Sequence, residues 1–351
     1  MSQMAGQTGS LLLERLRLGA LELPNRVIMA PMTRLRSDVG LAPTELMAEY
    51  YAQRAGAGLI ISEALAVRPF GAGFPDLAAI YTPEQQAGWG RVVRQVHAAG
   101  GRIAAQLFDV GLARAERPGA PPWWAVTDEV RPAMLSDDDI AGAVAGFERA
   151  ARVVHDLGFD MIEMHASSGN LFDRFLRAAT NARTDAYGGS LTGRLRLLNE
   201  LLDRLQAVVG AGRLGLKLSP SAMVDGKPDP AGQAEFPAIL QALSRRELAY
   251  VHVTRTTADD RERGSGPGLS FAQLRPHYRG TLLGAGDLSQ GEAEVLVAER
   301  QIDGAVFGRL FIANPDLPAR FAARAALNEP QRATFYSPGA AGLTDYPRLP
   351  G

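Results

Sequence analysis

Cysteine is absent from the 351 residues, which excludes disulfides, thiolate nucleophiles and Cys-ligated metal or iron–sulfur centres. Lysine is nearly absent: Lys217 and Lys227 are its only instances, and arginine carries the rest of the positive charge. There is no surplus of either sign, since 37 Lys and Arg stand against 38 Asp and Glu. A chain so balanced lacks the global field that would hold nucleic acid or an anionic membrane. No uninterrupted apolar run approaches the ~20 residues of a membrane helix. The polar stretch Met1–Ser10 has no signal-peptide core. With 46% hydrophobic and 21% charged residues, disorder and fibrous structure are excluded too. The expectation is a cytoplasmic protein with neither nucleic-acid nor membrane partners.

What is present is alternation. Short apolar runs rich in β-branched residues predict strands at 27–30, 58–62, 102–107, 159–165, 212–219, 248–254, 281–284 and 304–308. Each is followed by a segment of helical period: 43–54, 83–99, 136–157, 195–209, 232–245, a short one at 270–274, 289–300 and 315–326. Start signals (Pro83; Ser136 with three aspartates) and stop signals (Gly100-Gly101; Gly158) frame several of them. Eight βα repeats predict an α/β fold of the closed (β/α)8 barrel type, which takes about 250 residues before insertions. An open doubly wound sheet is the alternative, but the turn after the first strand reads Pro31-Met32-Thr33-Arg34 rather than a Gly-rich fingerprint. Residues 16–25 read as a hairpin capping the barrel floor. Extended βα loops account for the remaining length: 112–135, which carries Trp123-Trp124, 224–230 and 259–268. The expected organisation is one domain over 1–351, with 1–11 flexible.

In a parallel barrel, chemistry sits at the carboxyl ends of the strands. Those ends read Pro31-Met32-Thr33, Glu63-Ala64, Gln106, His165, Lys217, Arg255, Gly286 and Gly308-Arg309. The set is polar without being acidic, and no His or carboxylate spacing suits a metal, so none is expected. Gly284-Ala285-Gly286 and Gly308-Arg309 resemble a phosphate cradle after strands seven and eight, although glycine also ends strands that bind nothing. Of the five histidines, His165 alone stands where a strand opens into a Gly-containing loop. A satisfied core histidine remains the alternative there.

Several ordered segments carry more. Residues 18–34 (LGALELPNRVIMAPMTR), 43–55 (PTELMAEYYAQRA), 100–107 (GGRIAAQL), 181–190 (NARTDAYGGS), 307–316 (FGRLFIANPD), 334–336 (TFY) and 344–347 (TDYP) closely resemble the signatures of the old yellow enzyme family. The likeness runs from about residue 12 to the C-terminus. It implies a (β/α)8 barrel holding FMN, an NAD(P)H reductant, and reduction of the C=C of α,β-unsaturated carbonyl compounds. It also implies that Ala30, Pro31, Met32 and Thr33 line the flavin, with the Thr33 hydroxyl near O4. Ala64 and Gln106 would meet the pyrimidine edge, and Gly286, Asp287, Gly308 and Arg309 would hold the phosphate. Lys217 takes the place of the family's usual Arg near N1 and O2, where a cation stabilises reduced flavin without the guanidinium fork. His165 would bind both the cofactor region and a substrate oxygen.

Departures gather on the substrate side. Where the family has His-Gly-Ala-Asn/His-Gly-Tyr-Leu, this chain has His165-Ala-Ser-Ser168-Gly-Asn170-Leu171. Ser168 replaces the second carbonyl donor, and Asn170 replaces the tyrosine that protonates the substrate. An amide does not titrate usefully near neutral pH. Phe108-Asp109 stands for a common Trp-His, and Leu343 for a Tyr. With Phe74, these are the expected substrate contacts. The leading expectation is FMN-dependent reduction of an enone, quinone or related carbonyl, the proton coming from water, Asp109 or the substrate itself. Desaturation or redox-neutral isomerisation is the second reading, and a flavin-binding protein without catalysis the third. The oligomeric state stays open.

Overall fold

The computed structural model describes residues 9–69, 76–111, 132–220 and 229–350. Phe74, Trp123-Trp124, Lys227 and most of the loops at 112–135 and 224–230 lie outside these.

A two-stranded antiparallel hairpin, β1 (Leu16–Leu18) and β2 (Leu21–Leu23), precedes the barrel. Leu16, Leu18 and Leu23 point into the same apolar cluster as Ile28, Leu59 and Ala249. The Ala20 N–H bonds the Gly212 carbonyl at 2.9 Å, so the hairpin closes the amino-terminal end, the place expected for residues 16–25. Ser10 and Leu11 are tied to Glu294, which anchors the chain before the hairpin.

Eight parallel strands then close on themselves: β3 (Val27–Met29), β4 (Leu59–Ala66), β5 (Ile103–Phe108), β6 (Met161–His165), β7 (Leu214–Leu218), β8 (Tyr250–Thr254), β9 (Leu282–Ala285) and β10 (Gly304–Phe307), with β10 pairing β3. They are buried on both faces, which is why they read as continuous apolar runs. β4 runs beyond the predicted 62. A register shift against β5 between Ile61 and Ala64 lets the strand continue through polar Ser62 and Glu63, whose side chains stay buried on hydrogen bonds from the Gln106 N–H, Tyr51 and the Arg34 N–H.

The outer ring is set by caps. α1 (Glu45–Gln53) starts on the Thr44 hydroxyl, α2 (Pro83–Ala98) on a Thr82–Gln85 capping box, and α3 (Asp137–Asp156) on a Ser136–Asp139 box. α4 (Leu171–Leu176) is a short helix that the sequence reading lacks. α5 (Leu191–Val209) begins four residues before the predicted 195, because Ser190 caps it. α6 (Pro230–Leu243) starts on Asp229. The predicted loop 259–268 holds a further helical turn, α7 (Ala258–Glu262), closed by a Thr257–Asp260 box. α8 (Phe271–Leu274) and α9 (Gln290–Ala298) follow expectation. α10 (Arg309–Ala313) is a further short helix that the sequence does not announce, and the last predicted helix is α11 (Leu317–Ala323). None of the described helices is long and apolar enough to cross a membrane.

Candidate active site

The mouth at the strands' carboxyl ends gathers most of the residues singled out from sequence. Ala30, Pro31, Met32 and Thr33 follow β3 and are partly exposed there, held to the next strand by the Ala30 N–H on the Phe307 carbonyl at 2.9 Å. Ala64 and Gln106 are neighbours in register on β4 and β5. His165 and Lys217 are neighbours on β6 and β7. Gly286, Asp287, Gly308 and Arg309 follow β9 and β10.

His165 is fixed from several sides. The Phe108 ring packs at 5.5 Å between centroids, and Ser167 Oγ lies 3.2 Å from Nδ1. Burial first, then the Lys217 ammonium and neighbouring His252, hold its pKa well below the ordinary value, so the ring is neutral. Asn170 sits at the start of α4 as its N-cap residue, 6% exposed. Its Nδ2 donates to the Ser167 carbonyl at 3.0 Å and lies 3.4 and 3.3 Å from the two ring nitrogens of His165. An atom so nearly equidistant from both cannot lie along either lone pair. Asn170 therefore packs on the imidazole and is spent locally. Ser168 is exposed, with φ of +60°, and its N–H is anchored by Ser219 Oγ at 2.9 Å.

Two expected substrate contacts stand elsewhere. Leu343 is fully buried in the main hydrophobic cluster; Arg54 draws its carbonyl in at 3.3 Å, so the side chain belongs to the core and not to the open mouth. The Asp109 side chain is also closed off from solvent: Arg68 pairs with it at 2.5 Å and the Gly111 N–H bonds it at 2.7 Å. Burial raises its pKa while Arg68 pulls it back. A carboxylate held this way ties the β5 end to the β4 end.

At the opposite rim, Gly286 adopts φ of +119°, and a Cβ there would lie 2.5 Å from Arg255 Cγ. Arg255 lies across this glycine, its Nε on the Gly286 carbonyl at 2.9 Å and its guanidinium on Glu292. Arg309 is one-third exposed and pairs with Asp287 and Asp259.

Sequence reading missed the polar floor beneath the mouth. Glu163 Oε1 accepts from Gln106 Nε2 at 2.6 Å and Oε2 accepts from His252 Nδ1 at 3.0 Å. Glu163 stands two residues before His165, and that period-2 spacing was the available signal. Among the described residues no cluster of His, Asp and Glu could hold a metal.

The arrangement suits FMN on three observations. The Lys217 ammonium, at a partly exposed position of the mouth, has no hydrogen-bond or ion-pair partner among the described residues. Two strand-end glycines, Gly286 and Gly308, bring backbone beside Arg309. The side chains of Ala30, Pro31 and Ala64 at this end of the barrel are small or thin. A cation, an anion cradle and a shallow polar bed are what a flavin ring with a phosphate tail requires.

Residues 12–328 match the model of the NADH:flavin oxidoreductase / NADH oxidase family. The chain is 36% identical over 358 residues to 12-oxophytodienoate reductase 1 of Oryza sativa subsp. japonica, covering 96% of this chain and 93% of that protein. It is 34% identical to a probable flavin mononucleotide-dependent alkene reductase of Leishmania infantum, covering 98% and 99%. Among solved structures, morphinone reductase in complex with tetrahydroNAD superposes with TM-score 0.84 at 39% identity, covering 97% and 98%. The old yellow enzyme homologue from Zymomonas mobilis gives 0.88 at 34% identity, covering 96% and 99%.

Proposed function

Because the chain belongs to the NADH:flavin oxidoreductase / NADH oxidase family, and is an FMN-dependent enzyme of the old yellow enzyme kind with a nicotinamide reductant, we propose that it reduces the activated C=C of an α,β-unsaturated carbonyl compound while supplying no side-chain acid to the α-carbon. What supports this is Asn170: by its place after β6 it stands where the resemblance puts the proton donor, an amide cannot ionise usefully, and it is bound to the Ser167 carbonyl and packed on the His165 ring.

Bound FMN supplies hydride transfer. Lys217 and Gln106 would hold the ring's pyrimidine end, with Ala64 alongside, and Ala30, Pro31, Met32 and Thr33 would line the other edge. Gly286, the Asp287 backbone, Gly308 and Arg309 would hold the phosphate. His165, neutral and clamped, donates one N–H to the substrate oxygen; if Ser167 donates to Nδ1, that proton sits on Nε2. Ser168 reaches the same oxygen through a water. Water then delivers the proton to carbon.

Protein loaded with FMN should bleach with NADH under anaerobic conditions and then reduce cyclohexenone slowly. Asn170→Tyr should raise that turnover on the order of 10²-fold, the lower end of what a positioned acid contributes. Fast wild-type turnover that Asn170→Tyr leaves unchanged would sink the proposal. Desaturation, the same hydride transfer run in reverse, is the second reading. Oxygen-dependent formation of enone from a saturated ketone, faster than enone reduction, would select it.

A further inference from the structure

The floor of the site is a buried polar layer with one carboxylate at its centre. Gln106 stands opposite Glu163 in register, and Lys217 stands opposite both His165 and His252. Residues two apart on a strand share a face, so Glu163 lies one level below His165. Between β6 and β8 the facing position is Gly215, where a Cβ would meet the Tyr250 ring at 2.2 Å. With no side chain there, Glu163 and His252 meet across β7 at 3.0 Å.

Glu163 and His252 are 0% and 1% exposed. Enclosing a carboxylate so completely is costly unless its oxygens are satisfied and a counter-charge is near. Both conditions hold. Burial pushes the Glu163 pKa up, but His252, the Lys217 ammonium and Gln106 together bring it below the ordinary value, so it is an anion. Burial holds His252 down, which makes it the neutral Nδ1–H donor to Glu163. Lys217 gives no hydrogen bond to either; its effect on Glu163 is through space. A carboxylate can only accept, so the Gln106 amide must turn its NH2 downward and its carbonyl toward the mouth.

We propose that Glu163 is a positioning residue for the flavin: it fixes the direction in which Gln106 presents its carboxamide and offsets the charge that Lys217 presents. This rests on the reading that Gln106 and Lys217 face the cofactor ring. The family's guanidinium would bring a fork to this place; a lysine brings only a point charge, so here the net charge under the ring is the difference between Lys217 and Glu163.

The test is the midpoint potential and FMN dissociation constant of the holoprotein. Lys217→Met should lower the potential, because reduced flavin loses its cation; an unchanged potential would defeat the underlying reading of Lys217. Glu163→Gln should raise the potential and weaken FMN binding about tenfold, since the amide no longer dictates the Gln106 orientation. The double variant should return toward the wild-type potential, the two charges cancelling. If Lys217→Met lowers the potential while Glu163→Gln leaves both potential and affinity at wild-type values, Glu163 is structural only and the inference is overturned. Should Glu163→Gln fail to load FMN, Glu163→Asp decides: it keeps the charge but withdraws the acceptor. Weaker FMN binding with a near-native potential supports the inference, and native binding refutes it.

Discussion

Glu63 is enclosed near the end of β4, where its Oε1 accepts from the Tyr51 hydroxyl at 3.2 Å and its own N–H donates back to that hydroxyl at 2.9 Å. Burial raises its pKa to about 7, against the pull of the Arg34 N–H, Tyr51 and the charges of Arg34 and Arg36. The folded state therefore holds this proton more tightly than the unfolded chain does. The resulting stability is complete below the ordinary carboxyl value and is lost as pH rises through about 7. Glu63→Gln should remove that slope. Denaturant titrations should show it matching wild type near pH 4.5 and exceeding it at pH 8 by up to roughly 3 kcal/mol. Parallel pH profiles for the two proteins would contradict the assignment. At this scale the sequence said much about identity and little about pairing. Lys217 stood out because lysine is so scarce, and His165 because of its strand-end place. That Glu163 joins Gln106 to His252, or that Arg68 claims Asp109, depends on strands far apart in the chain and was not readable along it.

Helices and strands carry the next level. The capped helices were legible through Pro83 and Ser136 at their starts, and the structure adds that Thr82, Ser136 and Ser289 each offer a hydroxyl to an early N–H of the following turn. The short helices α4, α7 and α10 escaped because none spans enough turns to show an amphipathic period. They are fixed by what they join: α4 by Asn170 against His165, α10 by its start at Gly308. The turn after β9 has a definite requirement. Gly286 has φ of +119° and Arg255 packed against it, a conformation that costs a side-chain-bearing residue about 1–3 kcal/mol. Gly286→Ala should lower the melting temperature, push Arg255 off the Gly286 carbonyl and weaken FMN binding. Calorimetry and FMN titration read the two effects separately, and a variant with native stability would show that the turn relaxes freely.

Across the whole molecule, buried arginines tie the C-terminal segment to the barrel. Arg36 donates to the carbonyls of Thr334, Phe335 and Ala341, Arg34 to those of Phe335 and Gly342, and Arg54 to those of Phe311, Ile312 and Leu343. Burial brings the pKa of Arg36 and of Arg54 down to about 10; both remain charged near neutral pH, held by peptide dipoles. Arg36→Leu should strand several of those carbonyls, cost on the order of 2–4 kcal/mol, and expose 332–343 to limited proteolysis while the barrel persists. An unaltered digestion pattern would show the segment held by its apolar contacts alone. The chain by itself determined the repeat number, the hairpin at the floor and which strand ends form the mouth, because each is written in local periodicity and in short ordered signatures. Only closure of the barrel decided the rest: Leu343 was drawn into the core, Asp109 was bound to Arg68, and Glu163 was placed beneath the mouth. The physical reason is that a buried charge takes its partners from whatever the tertiary structure brings within about 3 Å, and sequence distance carries no information about that.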